Sequence, residues 1–476
     1  MKKVRLVLIS LLMFFAVTGC SNEDKNLLDK DDPTTIQVWH YYNGAQQEEF
    51  NRLVDEFNKT VGKEKGIIVE GSGQGTISDL ERNVLDSING KAGAADIPNI
   101  FAAYGDTAYQ VDKLGYAVDL NKYFSKDELS KYVDGYLEEG HFSSKDTLKI
   151  FPVAKSVELF MLNKTDWEKF ANATGASTND LNTIEGVTKV AEQYYNWTDS
   201  LTAAPNDGKA FFGRDAFANY MLVGYRQLAT DIFSKKDNKI VLNFEADIAK
   251  KLWDNYYVPY ISGYFSSSGK FRSDDIKIGN ILACVSSSSS VTYFPKEVIL
   301  NDEESHSIEL ETFACPKFKD GKDYVVQQGA GMVVLKSEEK EQQAAVEFLK
   351  WFTSDKQNIA FSNASGYLPV TKSANDLDKI TDEVEVNESV KKTLNTSLKM
   401  ISDNNMYTSV PFEKGTDARN VLDTTMSNLA KQDRETVITN LSNGMNLEQA
   451  ISQFNNDTYF NQWYTNTKSQ LESLIK

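Results

Sequence analysis

The sequence predicts an α/β protein with a helix-rich C-terminal part. Three observations predict it. Short apolar strands alternate with amphipathic helices through the early chain, and a late apolar strand at 331–335 leads into another amphipathic helix. From Asp376 onward the pattern is mostly helical, with Asn-rich and Ser-rich breaks and no internal repeat of fixed period. Strand–helix alternation at this spacing predicts a parallel sheet covered on both faces.

Taken in order, Thr34-Thr35-Ile36-Gln37-Val38-Trp39 alternates as a strand. Phe50, Leu53, Val54 and Phe57 fall at i, i+3, i+4 and i+7, one apolar helix face. Gly66 punctuates a second strand, Ile67-Ile68-Val69, which runs into Gly71-Ser72-Gly73-Gln74-Gly75. Ile77, Leu80, Val84, Leu85 and Ile88 form the next helical stripe, and 96–101 (DIPNIF) the third strand. After 331–335, Ala345, Phe348, Leu349 and Phe352 form a further apolar face.

Composition narrows the function classes. A chain of 476 residues exceeds the usual size of one core. Hydrophobic residues make up 41%, and mean hydropathy is -0.43, which excludes a multi-span membrane protein. A net charge of -17 argues against nucleic acid as a partner, since phosphate contacts need clustered basic side chains. Three cysteines are too few for a disulfide scaffold or a cysteine-built zinc site. His40, His141 and His306 lie far apart and offer no metal-ligand spacing, so neither a metal nor a cofactor is expected.

The N-terminus reads as an export signal. Lys2, Lys3 and Arg5 precede an apolar run from 6 to 17, too short for the roughly 20 residues of a bilayer helix. It ends in Val17-Thr18-Gly19-Cys20, which resembles the lipobox of bacterial lipoproteins. That resemblance implies cleavage after residue 19 and lipidation of Cys20, giving a membrane anchor. Two acyl chains hold stably where one does not. Residues 20–33 (CSNEDKNLLDKDDP) then read as a flexible polar tether.

Chemistry has no positive signal. The Gly71–Gly75 loop (71–75) lacks the third spaced glycine of a dinucleotide fingerprint and the Gly-Lys-Ser/Thr of a P-loop. No Gly-x-Ser-x-Gly elbow, His-Glu-x-x-His pair or EF-hand spacing occurs. With 68 acidic residues, carboxylate pairs carry no weight as a glycosidase dyad.

Aromatic and polar residues do gather at strand ends. Trp39-His40-Tyr41-Tyr42 closes the first strand and Tyr104-Gly105-Asp106 the third. Ligands of open α/β sheets collect outside the carboxyl ends of the strands. Flat rings beside carboxylates and amides suit sugars, with their apolar CH faces and ring hydroxyls. Trp39 and Tyr104 would serve equally as caps of the core.

Six segments in family order resemble the extracellular solute-binding proteins of ABC importers, in the group that includes maltose-binding and glycerol-phosphate-binding proteins. They are 36–58 (IQVWHYYNGAQQEEFNRLVDEFN), 67–80, 151–164 (FPVAKSVELFMLNK), 282–290 (LACVSSSSS), 312–320 (TFACPKFKD) and 329–372. The last carries Ala344-Ala345-Val346-Glu347-Phe348-Leu349 and then Gly366-Tyr367-Leu368-Pro369, the most specific of the matches.

The resemblance implies a two-lobed periplasmic-binding-protein-like (type II) fold with discontinuous lobes and a hinge. The expected division is 34–150 plus 287–336 for the N-terminal lobe and 151–286 plus 337–476 for the C-terminal lobe. Crossovers are expected near 151–152, 284–286 and 335–338.

Carried over by motif, the cleft would be lined by Trp39, His40, Tyr41, Tyr42, Ser72, Gln74, Tyr104 and Asp106. Past the first crossover come Lys155, Ser156 and Glu158, and past the second Ser287, Ser288, Ser289 and Tyr293. Gln328, Gly329, Ala330 and Gly331 mark a close backbone approach, and Tyr367 sits in the Gly-Tyr-Leu-Pro turn. Two departures stand out: Gly329-Ala330-Gly331 replaces the usual Gly-Gly, and no basic residue for a glycerol phosphate is identifiable.

Trp197 reads as core or ligand-stacking. Trp253, Tyr256, Tyr257 and Tyr260 read as packing, His141 and His306 as solvated, and Cys284 with Cys315 as a disulfide or two buried thiols. The expected function is a non-enzymatic, monomeric, lipid-anchored receptor at the extracellular face that captures a carbohydrate, an oligosaccharide, and delivers it to an ABC permease. Rival readings are a glycerol-phosphate or other small polar solute, a surface carbohydrate-active enzyme, and a polysaccharide adhesin.

Overall fold

The computed structural model describes residues 27–237, 239–383 and 387–476. The chain forms two lobes, each on its own sheet. The predicted export signal and Cys20 lie outside the described residues.

In the first lobe, Thr34–His40 pairs in parallel with Ile67–Gly73 on one side and Ile100–Ala103 on the other. Gly331–Val334 returns from far along the chain to close the edge antiparallel to Ile100–Ala103. The predicted faces do the covering. Phe50, Leu53, Val54 and Phe57 of the helix Gly44–Lys59 are buried, as are Leu80 and Val84 of Ile77–Ile88. Thr76 starts that second helix with a capping box to Asp79. The helix Glu339–Phe352 lays Ala345, Phe348, Leu349 and Phe352 on the same core, with the Phe348 ring edge-on to Phe57 at 5.2 Å.

The second lobe is organised by Ser156–Asn163, buried along its whole length. It pairs antiparallel with Ala283–Ser287 on one edge, and with Leu310–Ala314 and Tyr324–Gln328 on the other. Phe212–Arg214 and Asn405–Tyr407 complete a mixed sheet. Here the structure departs from the expected parallel sheet, because an apolar run records burial on both faces and carries no strand direction. Helices Phe217–Leu228, Ala246–Ser262 and the long Gly415–Ser442 pack beside this sheet. Trp253, Tyr256, Tyr257 and Tyr260 are core, as read from the sequence, and Trp197 packs at the edge of that core on Phe170 and Tyr194.

The chain crosses between the lobes three times, and two crossings are not where they are expected. The first runs through 151–156, where Phe151 exchanges backbone hydrogen bonds with Met332 of the first lobe. The second is 328–331, joining Tyr324–Gln328 of the second sheet to Gly331–Val334 of the first. The third is 367–371, after a helix, Asp355–Ser365, packed against the first lobe. Residues 287–328 therefore belong to the second lobe, and 331–365 to the first, against the expected division. Ala283–Ser287 lies inside the second sheet and 335–338 inside the first lobe, so neither is a crossover. Apolar strands look alike from within the sequence; only pairing tells which sheet each one joins.

The tether is shorter than expected. Leu27 donates its N–H to Gln343 at 3.0 Å, Leu28 packs on the first-lobe core and Asp29 bridges Asp32. Cys284 and Cys315 are free thiols. Cys284 faces Met161 across one edge of Ser156–Asn163, while Ala314, next to Cys315, pairs with Leu159 across the other. Two strand spacings of about 4.8 Å part them, beyond disulfide reach. Burial pushes Cys284 well up, and Cys315 to about 12.

Candidate functional site

The carboxyl ends of the first-lobe strands open toward the second lobe, and two neighbouring chambers lie between. The inner one, about 370 Å³, has Ser78, Glu81, Tyr104, Asp106 and Glu139 on the first-lobe side. Asn219, Tyr407 and Arg419 face them from the second lobe. The outer one, about 1010 Å³, is floored by Ser286, Ser287, Ser289 and Ser290 and edged by Asn43, Asp215, Phe271 and Tyr293. Ala216 and Gln328 line both. These volumes are of the order that holds small-molecule ligands, in clefts between domains.

Several sequence-predicted residues meet there. Tyr104, Asp106 and Gln328 line the inner chamber, and Ser287, Ser289, Tyr293 and Gln328 the outer one. Tyr293 is 55% exposed, and its hydroxyl reaches toward Gly44 at the opposing helix start. Tyr41 sits just beyond, its hydroxyl 3.4 Å from that of Tyr367 and 3.4 Å from the Ala330 N–H, which donates to it. Burial pushes both phenols up, so they stay neutral hydrogen-bonding groups.

Others are not on the cleft wall, and the sequence expectation is corrected for them. Trp39, His40 and Tyr42 are buried in the first-lobe core. His40 stacks near Tyr42 and Phe50, and its Nδ1 accepts the Tyr42 N–H at 3.2 Å. Burial pulls its imidazole down to about 4, so it is neutral at physiological pH. The strand end turns inward because helices cover both faces of the sheet, so exposure begins only at Tyr41. Ser72 and Gln74 bond each other, with Gln74 held also by Asn83, and line neither chamber. The first turns of the helix they precede, at Ile77, Ser78 and Glu81, do so instead.

Lys155, Ser156, Glu158 and Ser288 are also buried. Ser156 accepts a hydrogen bond from Ser287. Glu158 pairs with Arg214 at 2.9 Å and accepts from Asn219 at 2.7 Å. Burial raises the Glu158 carboxyl against the pull of Arg214. Lys155 is at the hinge: its ammonium bonds Glu139 and the Gly329 carbonyl. Gly329 has φ +91, and a Cβ there would lie 2.6 Å from the Ala154 carbonyl, so only glycine suits this approach. His306, expected in solvent, pairs with Asp166 at 2.9 Å.

Sequence reading missed Glu81, Glu139, Asn219, Phe271, Tyr407 and Arg419. Arg419 lies two hundred residues from its partner Asn219, and no local pattern links them. Among the described residues there is no group of three or more His, Cys, Asp and Glu placed to hold a metal, and no helix long and apolar enough to cross a membrane. The chambers offer hydrogen-bonding and stacking groups from both lobes, an arrangement suited to holding a polar solute.

Comparison with known proteins agrees with this arrangement. A search of curated protein sequences finds no match. Among solved structures, the chain is similar to the cyclic alpha-maltosyl-1,6-maltose binding protein from Arthrobacter globiformis, with a TM-score of 0.66 and 17% identity over 93% of this chain and 99% of that one. UgpB from Mycobacterium tuberculosis in complex with glycerophosphocholine gives a TM-score of 0.68 and 15% identity, covering 93% of this chain and 100% of that one. The ABC substrate-binding protein Lmo0181 from Listeria monocytogenes, in complex with cycloalternan, gives 0.65 and 14%, covering 93% and 100%. At these identities the likeness is one of fold. A family model described as bacterial extracellular solute-binding protein matches residues 52–388, the greater part of the chain, and the chain belongs to that family.

Proposed function

We propose that this protein is the lipid-anchored receptor of an ABC importer, which captures an oligosaccharide between its lobes and presents it to the permease. The observation that carries this reading is the two-chamber cleft, in which tyrosines, serines and amides from both lobes face one another across Ala216 and Gln328. A sugar offers apolar CH faces to rings such as Tyr104, Phe271 and Tyr293, and hydroxyls to the polar groups between them. Two of the similar structures are named for, or hold, cyclic oligosaccharides, which favours the same class. The mechanism is binding without catalysis. A solute touching both lobes stabilises the closed form by as much as it prefers that form. The lipobox-like Val17-Thr18-Gly19-Cys20 supports the anchor, and an excess of acidic residues argues against nucleic acid.

A glycerophosphodiester is the second reading, favoured by Arg419 in the inner chamber and by the likeness to UgpB. A thermal-unfolding screen of residues 27–476 against oligosaccharides, glycerol 3-phosphate and glycerophosphocholine separates the two. Solute at about 100 times its Kd adds about 2.7 kcal/mol, a visible shift in midpoint. A shift with a neutral oligosaccharide supports the first reading. A shift only with the phosphorylated solutes supports the second.

A further inference from the structure

The geometry points to Arg419 and Glu81, facing one inner chamber from opposite lobes, as the pair that reads the inner end of the solute and restricts it to neutral polyhydroxyl rings. This deepens the carbohydrate reading and rests on it.

Arg419 is held ready by a chain of buried polar groups. Arg214 pairs with one oxygen of Glu158 at 2.9 Å, and the other oxygen accepts the Asn219 side-chain amide at 2.7 Å. Glu158, Arg214 and Asn219 are all buried. With the Asn219 nitrogen committed to a carboxylate, its oxygen must face the other way, and there it accepts from the Arg419 guanidinium. The reverse orientation would set acceptor against acceptor. A guanidinium has five N–H donors. Asn219 takes one, and among the described residues no carboxylate pairs with Arg419 within ion-pair distance. Four donors are thus left on a side chain that lines the chamber.

Glu81 stands on the first-lobe side of the same chamber. It has no cation within ion-pair distance among the described residues, and burial raises its carboxyl against the opposing pull of Thr107 and the Tyr104 backbone. A carboxylate only accepts hydrogen bonds and a guanidinium only donates them, while each sugar hydroxyl does both. A ring between them therefore has its hydroxyl hydrogens met by Glu81 and its oxygens by Arg419. A phosphate would satisfy Arg419 alone. It would also meet Glu81 and Asp106, which line the same space with no ion-pair partner among the described residues, at a cost in repulsion. Because the two groups sit on different lobes, the ring that satisfies both also draws the lobes together.

The test uses residues 27–476, with calorimetric affinities for maltotriose, mannotriose, cycloalternan, glycerol 3-phosphate and glycerophosphocholine, and small-angle scattering for closure. Wild type, Arg419→Lys, Arg419→Gln and Glu81→Gln are compared, with thermal midpoints reporting integrity. Hydrogen bonds to charged groups are strong enough that each variant should lose at least about tenfold in affinity for the sugar that wild type binds. Ligand-induced closure should weaken and the unliganded midpoint stay put. Arg419→Lys should lose as Arg419→Gln does, since the fork and not the charge is used. Sugar binding in wild type that all three variants keep within twofold overturns the pairing and leaves the carbohydrate reading standing. Binding of a phosphorylated solute that survives Arg419→Lys and tightens in Glu81→Gln overturns the charge class. No sugar binding in wild type overturns the carbohydrate reading and this inference with it.

Discussion

Asp106 of the first lobe accepts a hydrogen bond from the backbone N–H of Phe412 of the second, at 3.1 Å. Its carboxylate lies over the start of the helix Gly415–Ser442, where the N-terminal end of the helix dipole favours negative charge. Lys113 and Glu413 form a second, looser interlobe pair at 3.7 Å beside it. This edge of the cleft is thus latched by protein groups alone, and Asp106, read from the sequence as a solute contact, is engaged there.

The latch depends on the absence of a side chain at Gly415. A Cβ there would fall 1.8 Å from the Asp106 carboxylate. Gly415→Ala should push the edge open, at about the 1–3 kcal/mol that overpacking costs. In scattering, the variant should be more extended without solute than wild type. Adding Asp106→Ala should relieve the clash while leaving the edge unlatched. An unchanged scattering curve for Gly415→Ala would show that the lobes do not meet at this contact in solution.

Closing water out of this edge also sets a pH dependence. Burial pushes the Asp106 carboxyl up to about 6, from an ordinary 3.8. A carboxyl whose folded pKa is the higher takes up a proton on folding, so it favours the fold at low pH. That contribution is lost as pH rises from about 4 through about 6. Asp106→Asn has no such proton. The midpoint of wild type minus that of Asp106→Asn should therefore fall across this window, and a flat difference would contradict the assignment.

The first strand shows what the sequence does and does not record. Its alternation and the Phe50, Leu53, Val54, Phe57 face are local patterns, and both were legible. That Trp39 and His40 stay inside the core was not, because it depends on the helix Glu339–Phe352 arriving from three hundred residues away. Tyr104, Gln328 and Tyr293, marked in the sequence by a strand end and by the family resemblance, lie on the chamber walls. Arg419 and Glu158 owe their positions to Asn219, and no local periodicity encodes a chain of side chains drawn from separate strands and helices.

It follows that Trp39→Ala is a stability variant. Trp39 is 3% exposed within the first-lobe cluster, and truncating a buried Trp costs about 3–5 kcal/mol. Denaturant unfolding should show that loss. Whatever fraction remains folded should bind solute with wild-type affinity. A selective loss of affinity with stability intact would return Trp39 to the cleft.

His40 gives a prediction of opposite sign to Asp106. Its pKa falls on folding to about 4 from 6.5, so the fold favours the neutral ring. Stability should be lost as pH drops from about 6.5 through about 4, because the unfolded chain takes up the proton first. Tracking the His40 ring proton by NMR should show no protonation of the folded protein until near pH 4. A titration near 6.5 would mean that the ring is solvated.

Lys155 joins all three crossing segments, and its removal tests whether the hinge is held by charge. It belongs to the first crossing, exchanges both backbone hydrogen bonds with Leu368 of the third, and sends its ammonium to the Gly329 carbonyl of the second at 2.8 Å. The same ammonium pairs with Glu139. Lys155 is 1% exposed, so deleting the ammonium leaves a nearly buried carboxylate and a carbonyl without their partner. Breaking one side of such a pair costs about 3–5 kcal/mol, whereas removing both charges is often close to neutral. Lys155→Met alone should lower the unfolding midpoint strongly, and Lys155→Met with Glu139→Gln should recover most of the loss. The backbone pair to Leu368 survives in both proteins, so the double variant should still close on its solute. If the single variant is as stable as wild type, or the double is no better than the single, the ammonium is not what binds the three crossings together.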